Sequence, residues 1–105
     1  MSTERLNQLH KFYEEDPSDP FNLYALALEY LGADLAKAEE FFQILLDKHQ
    51  DYLPTYYHAA RLFQDKGEKE KAVSIYERGI SVAKTRGDRK AQRELQSAYD
   101  ELMFE

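Results

Sequence analysis

Apolar residues recur along this chain at intervals of three and four, the spacing that places them on one side of an α-helix. The first such stretch runs from about Thr3 to Glu15, with Leu6, Leu9, Phe12 and Tyr13 in step, and Asp16-Pro17 stops it. Asp19-Pro20 then supplies an N-cap acid followed by a proline at the first helical position. That pair opens a second helix over about Pro20 to Leu31, carrying Leu23, Leu26, Ala27 and Tyr30. Gly32-Ala33-Asp34 marks a turn, and Ala38, Phe42 and Leu45 define a third helix over Leu35 to Lys48. Pro54 opens a fourth, through Tyr56, Ala59, Ala60 and Phe63, which Lys66-Gly67 closes. A fifth is predicted over Lys69 to about Thr85, through Ala72, Ile75, Tyr76, Gly79, Ile80 and Ala83, ending before Arg86-Gly87-Asp88. Ala91, Leu95, Ala98 and Leu102 form the stripe of a sixth, from Asp88 to Met103.

Two of these stretches carry the same pattern. Leu23, Leu26, Ala27, Tyr30, Ala38, Phe42 and Leu45 align with Tyr56, Ala59, Ala60, Phe63, Ala72, Tyr76 and Gly79 at offsets of 33–34 residues. A repeat of this length with W-x2-L-G-x2-Y, then A-x3-F, then a closing proline describes the tetratricopeptide repeat, and both copies resemble it over about residues 20 to 84. The departures are specific. Leu23 and Tyr56 stand where the tryptophan is expected, the first copy is one residue shorter between Tyr30 and Ala38, and Gln50 and Lys84 stand near the place of the proline.

The resemblance is to small bacterial-type two-repeat proteins with capping helices. It implies an all-α fold of about six helices, antiparallel hairpins stacked as a short right-handed superhelix. One domain over residues 1–105 is expected: an N-terminal packing helix (1–18), repeat one (20–51), repeat two (52–86) and a C-terminal capping helix (87–105). A helical hairpin cannot bury its apolar face alone, so two repeats need extra helices at their ends. Small residues at Ala27, Ala60, Ala38 and Ala72 suit places where helices approach closely, and a bulkier side chain there would overpack by about 1–3 kcal/mol.

Composition narrows the function classes. A chain of 105 residues with 32% charged and 43% hydrophobic residues suits one folded helical domain rather than a disordered segment. No apolar run approaches the roughly 18 residues of a membrane span. The beginning MSTERLNQLHKFYEED has no apolar signal core, so a cytoplasmic location is expected. The absence of cysteine removes disulfide, thiol and zinc-finger chemistry. Net charge is −6, and residues 1–50 hold ten acidic and four basic side chains against ten of each in 51–105. That acidic balance argues against nucleic acid. Lys84, Arg86, Arg89, Lys90 and Arg93 form a basic cluster open to two readings, a patch for phosphate or an acidic peptide and a solvated helix junction favoured by a helix dipole.

Nothing in the chain resembles a catalytic constellation. His10, His49 and His58 stand apart from any H-E-x-x-H spacing, and no glycine-rich phosphate loop or nucleophile elbow is present. Adjacent acids such as Glu14-Glu15 and Glu39-Glu40 point in different directions on a helix. No enzyme activity, metal or cofactor is therefore expected.

What the resemblance implies is a protein-binding surface. In the family the first helix of each repeat lines a concave groove, which here presents Phe21, Tyr24, Leu28 and Leu31 from the first copy and Tyr57, His58, Arg61 and Gln64 from the second, extended by Arg93 and Gln96. A subclass that grips chaperone tails uses Lys and Asn on successive first helices. Tyr24 and Leu28 occupy the corresponding face here, and Arg61 alone supplies charge in the second copy. The expected partner is thus a peptide or protein held by Tyr and Leu contacts, with Arg61 pairing an acidic residue. The same aromatics are also explained as cover for the core. The alternative to a partner groove is self-association, through the groove or through Leu102, Met103 and Phe104, giving a monomer or weak homodimer.

Overall fold

A computed structural model describes residues 3–105. Among them the chain forms six α-helices and no strand: α1 (Thr3–Glu15), α2 (Pro20–Leu31), α3 (Leu35–Lys48), α4 (Pro54–Asp65), α5 (Lys69–Arg86) and α6 (Arg89–Met103). They gather into two compact units that meet in sequence between Tyr52 and Leu53, so each unit holds three helices. None of the six is long and apolar enough to cross a membrane.

The helix starts follow from acids and prolines. Asp19 has extended backbone, and its Oδ1 accepts the Phe21 amide at 2.9 Å while Pro20 begins α2. Asp34 and Asp88 accept the amides of Lys37 and Ala91 at 3.2 and 3.0 Å, each satisfying an orphan donor worth about 1 kcal/mol. Helices α4 and α5 begin without such a side-chain cap, and α4 relies instead on the fixed φ of Pro54.

The turns explain the missing residue of the first copy. After Tyr30 the chain leaves α2 within one residue, and the Tyr30 carbonyl accepts both the Ala33 and Asp34 amides at 2.9 and 2.8 Å. After Phe63 helix α4 runs one residue further. The chain then reverses through Gly67 at φ +82°, with the Glu68 amide returning to the Phe63 carbonyl at 2.9 Å. That closure needs a left-handed residue, which glycine adopts without a Cβ clash. Gly32, at φ −88°, does not.

In the first unit α2 and α3 form a hairpin whose core joins Leu23, Leu26, Ala27 and Tyr30 to Ala38, Phe42, Leu45 and Leu46. Helix α1 lies on α2 and buries no residue completely. Contacts at its edge hold it instead. His10 Nε2 and the Tyr30 hydroxyl share a hydrogen bond of 2.7 Å, Tyr13 meets the Phe41 ring edge-on at 6.0 Å, and Arg5 pairs with Glu29 at 2.9 Å. The Asn22 amide donates to the carbonyls of Phe12 and Asp16, closing the end of α1. Phe12 itself is 44% exposed, so it is a surface residue despite keeping step with Leu6 and Leu9.

In the second unit α5 packs against both α4 and α6. Its buried residues are Ala72, Ile75, Tyr76, Gly79 and Ala83, facing Tyr56, Ala59, Ala60 and Phe63 of α4 and Leu95 and Leu102 of α6. Gly79 marks the tightest place. A Cβ there would lie 2.6 Å from the Tyr56 Cβ, 2.9 Å from its Cγ and 3.1 Å from Leu95 Cδ1. The Lys71 ammonium sits 4.1 Å from the centre of the Phe63 ring, covering the rim of this core with a cation–π contact.

Two glycine substitutions should therefore move stability in opposite directions. Gly79→Ala gains about 0.5–1 kcal/mol of helix propensity but must displace a Cβ anchored to the α4 backbone, so a net loss of about 1–3 kcal/mol is expected from overpacking. Gly32→Ala meets nothing within 4 Å and has a negative φ, so it should gain about 0.4–1 kcal/mol. Urea denaturation measures both, and a Gly79→Ala variant as stable as the parent would refute the close approach.

Candidate functional site

The buried face of α4 determines what its other face offers. Tyr56, Ala60 and Phe63 point into the core, so Tyr57, Arg61 and Gln64, at intervals of four and three, form a stripe on the outer side. Tyr57 is 38% exposed, directly after the buried Tyr56. Arg61 Nε donates to Asp65 Oδ1 at 3.4 Å, a long pair between two exposed side chains that contributes little to stability. Asp65 also holds the guanidinium pKa above its usual value, first through that hydrogen bond and then through charge.

Gln64 is anchored from below and above. Its Oε1 accepts from the hydroxyl of buried Tyr76 at 3.3 Å, and its amide donates to Glu105 Oε1, just beyond α6, at 3.4 Å. Burial, helped by Tyr57, pushes the Tyr76 phenol above its ordinary pKa and keeps it a donor. His58 lies beside the stripe rather than on it. Its ring meets Tyr57 edge-on at 5.5 Å, and burial lowers its pKa below 6.5, leaving a neutral imidazole at pH 7. On α6, Arg93 is exposed and shares a stripe with Arg89, Gln92 and Gln96.

The first unit has its own stripe. Phe21, Tyr24 and Leu28 follow one another on α2, with Phe21 58% exposed and the other two half-buried. Tyr24 packs edge-on against Tyr52 at 5.7 Å. Burial raises the pKa of both phenols, with each tyrosine's neighbour adding to the effect: Tyr52 for Tyr24, Asp19 for Tyr52. Tyr24 and Tyr57 each follow a buried residue, Leu23 and Tyr56, yet Tyr24 rests on a second ring from the segment after α3. Tyr52 lies outside the helical pattern, so periodicity offered no signal for it. Glu105 was equally hidden, because only the packing of α6 brings its carboxylate to Gln64. Of the three terminal apolar residues, Leu102 is core, whereas Met103 and Phe104 are 48% and 89% exposed. Among the described residues no three His, Asp or Glu side chains are grouped to hold a metal ion.

No protein-family model and no curated protein matches the chain. Solved structures do. The solution NMR structure of a tetratricopeptide repeat domain protein from Salinibacter ruber is 39% identical, with a TM-score of 0.78 over 83% of this chain and 89% of that one. This chain belongs to the tetratricopeptide repeat family. A crystal structure of a tetratricopeptide repeat domain protein from the same organism agrees, at 37% identity and a TM-score of 0.77 over 82% of this chain and 97% of the other. A protein from Bordetella parapertussis shares the fold at 19% identity, with a TM-score of 0.80 over 98% and 89% of the two chains. The tetratricopeptide repeat fold generally serves as a protein–protein interaction module, which is the class of activity this chain's scaffold supports. In this chain α2 packs against α3 and α4 against α5, and the two stripes lie on α2 and α4.

The neutral His58 gives the second unit a pH signature. Below pH 6.5 and above the lowered folded value, the unfolded chain binds more protons at this site than the folded one, so stability falls as pH drops through that window. An NMR titration should place the His58 midpoint below 6.5, and His58→Gln should flatten that part of the stability profile. A midpoint at or above 6.5 would contradict the burial of the ring.

Proposed function

We propose that this chain is a non-enzymatic binding module that takes a peptide segment of a partner protein along the outer stripe of α4. Tyr57 supplies an aromatic contact, Arg61 pairs an acidic side chain and Gln64 offers its amide, with His58 flanking them and Arg93 contributing from α6. The corresponding stripe of α2, Phe21, Tyr24 and Leu28, offers aromatic and aliphatic contacts of the same kind. One observation carries the proposal: Gln64 already receives a carboxylate, that of Glu105, within 3.4 Å. Among the described residues its neighbour Arg61 is held only by a long surface pair, which a partner carboxylate in bidentate geometry would replace favourably. Tyrosine and arginine are also the side chains that most often dominate binding energy at protein interfaces.

A second reading rests on Met103 and Phe104, whose exposed side chains beside the end of α6 would be covered in a homodimer. The two are separable. Tyr57→Ala and Arg61→Glu should each reduce recovery of a partner from lysate by tenfold or more without changing the unfolding midpoint, and unchanged recovery with both would refute the α4 stripe. Light scattering across a hundredfold concentration range should show a monomer, whereas a dimer abolished by Phe104→Ser would establish self-association instead.

A further inference from the structure

The helix ends split the basic cluster between α5 and α6 into two sets with different physics. Lys84 and Arg86 occupy the last turn of α5, where the negative end of the helix dipole favours cations. Arg89 and Lys90 open α6, and Arg93 follows one turn later, beside the positive end of that helix. The first turn of α6 holds no acid, its last turn holds no base, and Asp100 and Glu101 stand near its C-terminus. Apart from the N-cap Asp88, the charges of α6 therefore run against its dipole at both ends. A stabilising junction would not place them so, and local choices that oppose the fold concentrate where function requires them.

Geometry gives these cations a common direction. Arg89, Gln92, Arg93 and Gln96 follow the spacing of one helix face and border a shallow open depression of about 300 Å³. Neither the Arg89 nor the Arg93 guanidinium forms an ion pair or hydrogen bond with another described residue. Asp88 already accepts the Ala91 amide, so the side chains, rather than the free backbone of the helix start, are what a ligand would meet. Residues 1–52 carry eleven acids and four bases, whereas residues 53–105 carry nine acids and ten bases. An acidic ligand is repelled by residues 1–52 and tolerated by residues 53–105, with Arg89 and Arg93 as the local attraction.

We infer that this face of α6 docks an Asp/Glu-rich segment of a partner protein, its carboxylates held by Arg89 and Arg93 and its backbone by the amides of Gln92 and Gln96. The inference rests on the protein-binding function proposed above and specifies the chemistry of the partner. Fluorescence anisotropy in low salt tests it with a fluorescein-labelled ten-residue Glu/Ser peptide and its Gln/Ser counterpart. The Glu/Ser peptide should bind at least tenfold more tightly than the Gln/Ser one, and Arg89→Gln with Arg93→Gln should abolish that difference. The same double variant should unfold at an unchanged or higher temperature, a readout that a merely structural role would move downward. Equal binding of the two peptides, undiminished binding by the double variant, or a lowered unfolding temperature would overturn the inference. So would tighter binding of single-stranded DNA of equal charge through the same arginines. If partner recovery from lysate depends on Tyr57 and Arg61 while the α6 variant behaves as the parent, the acidic docking strip fails and the α4 stripe stands.

Discussion

At Gly79 the backbone of α5 comes so close to α4 that a single methyl group would sit 2.6 Å from the Cβ of Tyr56, with Leu95 of α6 closing the other side at 3.1 Å. The second unit depends on this approach. It packs α5 against both neighbours, leaves the Tyr56 ring buried and determines which side of α4 faces inward. Once Tyr56 is seated, the 3.6-residue period leaves Tyr57 and Arg61 no place but the outer side. The candidate surface is thus a consequence of core packing, without which an exposed tyrosine next to a buried one would have no fixed direction.

The first unit reaches a related hairpin by other means. Leu45 stands where Gly79 stands in the second copy, so the first unit accommodates a full side chain at a position where Tyr56 leaves no room for one in the second, and both are buried. Helix α1 then adds a polar and aromatic edge, through His10, Tyr13 and Arg5, rather than a buried apolar layer. A partly exposed ion pair such as Arg5–Glu29 contributes about 0–1 kcal/mol, beside the ring contacts and the His10–Tyr30 hydrogen bond. Variation between the two copies falls at helix ends, turns and some core positions such as Leu23/Tyr56 and Leu45/Gly79, while the small residues Ala27, Ala60, Ala38 and Ala72 are completely buried.

Much of this was legible in the order of residues. Caps at Asp19, Asp34 and Asp88, prolines at 20 and 54, and the repeated spacing of small and bulky side chains locate all six helices to within a residue or two, because each acts through its own local backbone. Phe12 shows the limit of periodicity: the pattern gives it a face, but whether that face is covered depends on how far α2 and α3 extend beneath it. The closeness at Gly79 has no local signature either, since a glycine in a helix is equally compatible with open space. Tyr52 and Glu105 reach Tyr24 and Gln64 only through tertiary packing. The basic cluster reads as one group in sequence, and the position of Gly87 between two helices is what divides it into a favoured and an opposed set.

Core positions and the positions we propose for recognition lie on different sides of the same helix, and that separation is the central claim. A substitution scan across α4, from Thr55 to Gln64, with the unfolding midpoint and the affinity for a captured partner measured on every variant, tests it most directly. Changes at Tyr56, Ala59, Ala60 and Phe63 should lower the midpoint, while changes at Tyr57 and Arg61 should leave it in place and weaken binding. If Tyr57 and Arg61 variants lost stability as Tyr56 variants do, with affinity unchanged in the molecules that remain folded, the outer stripe would be part of the scaffold and the account would be contradicted.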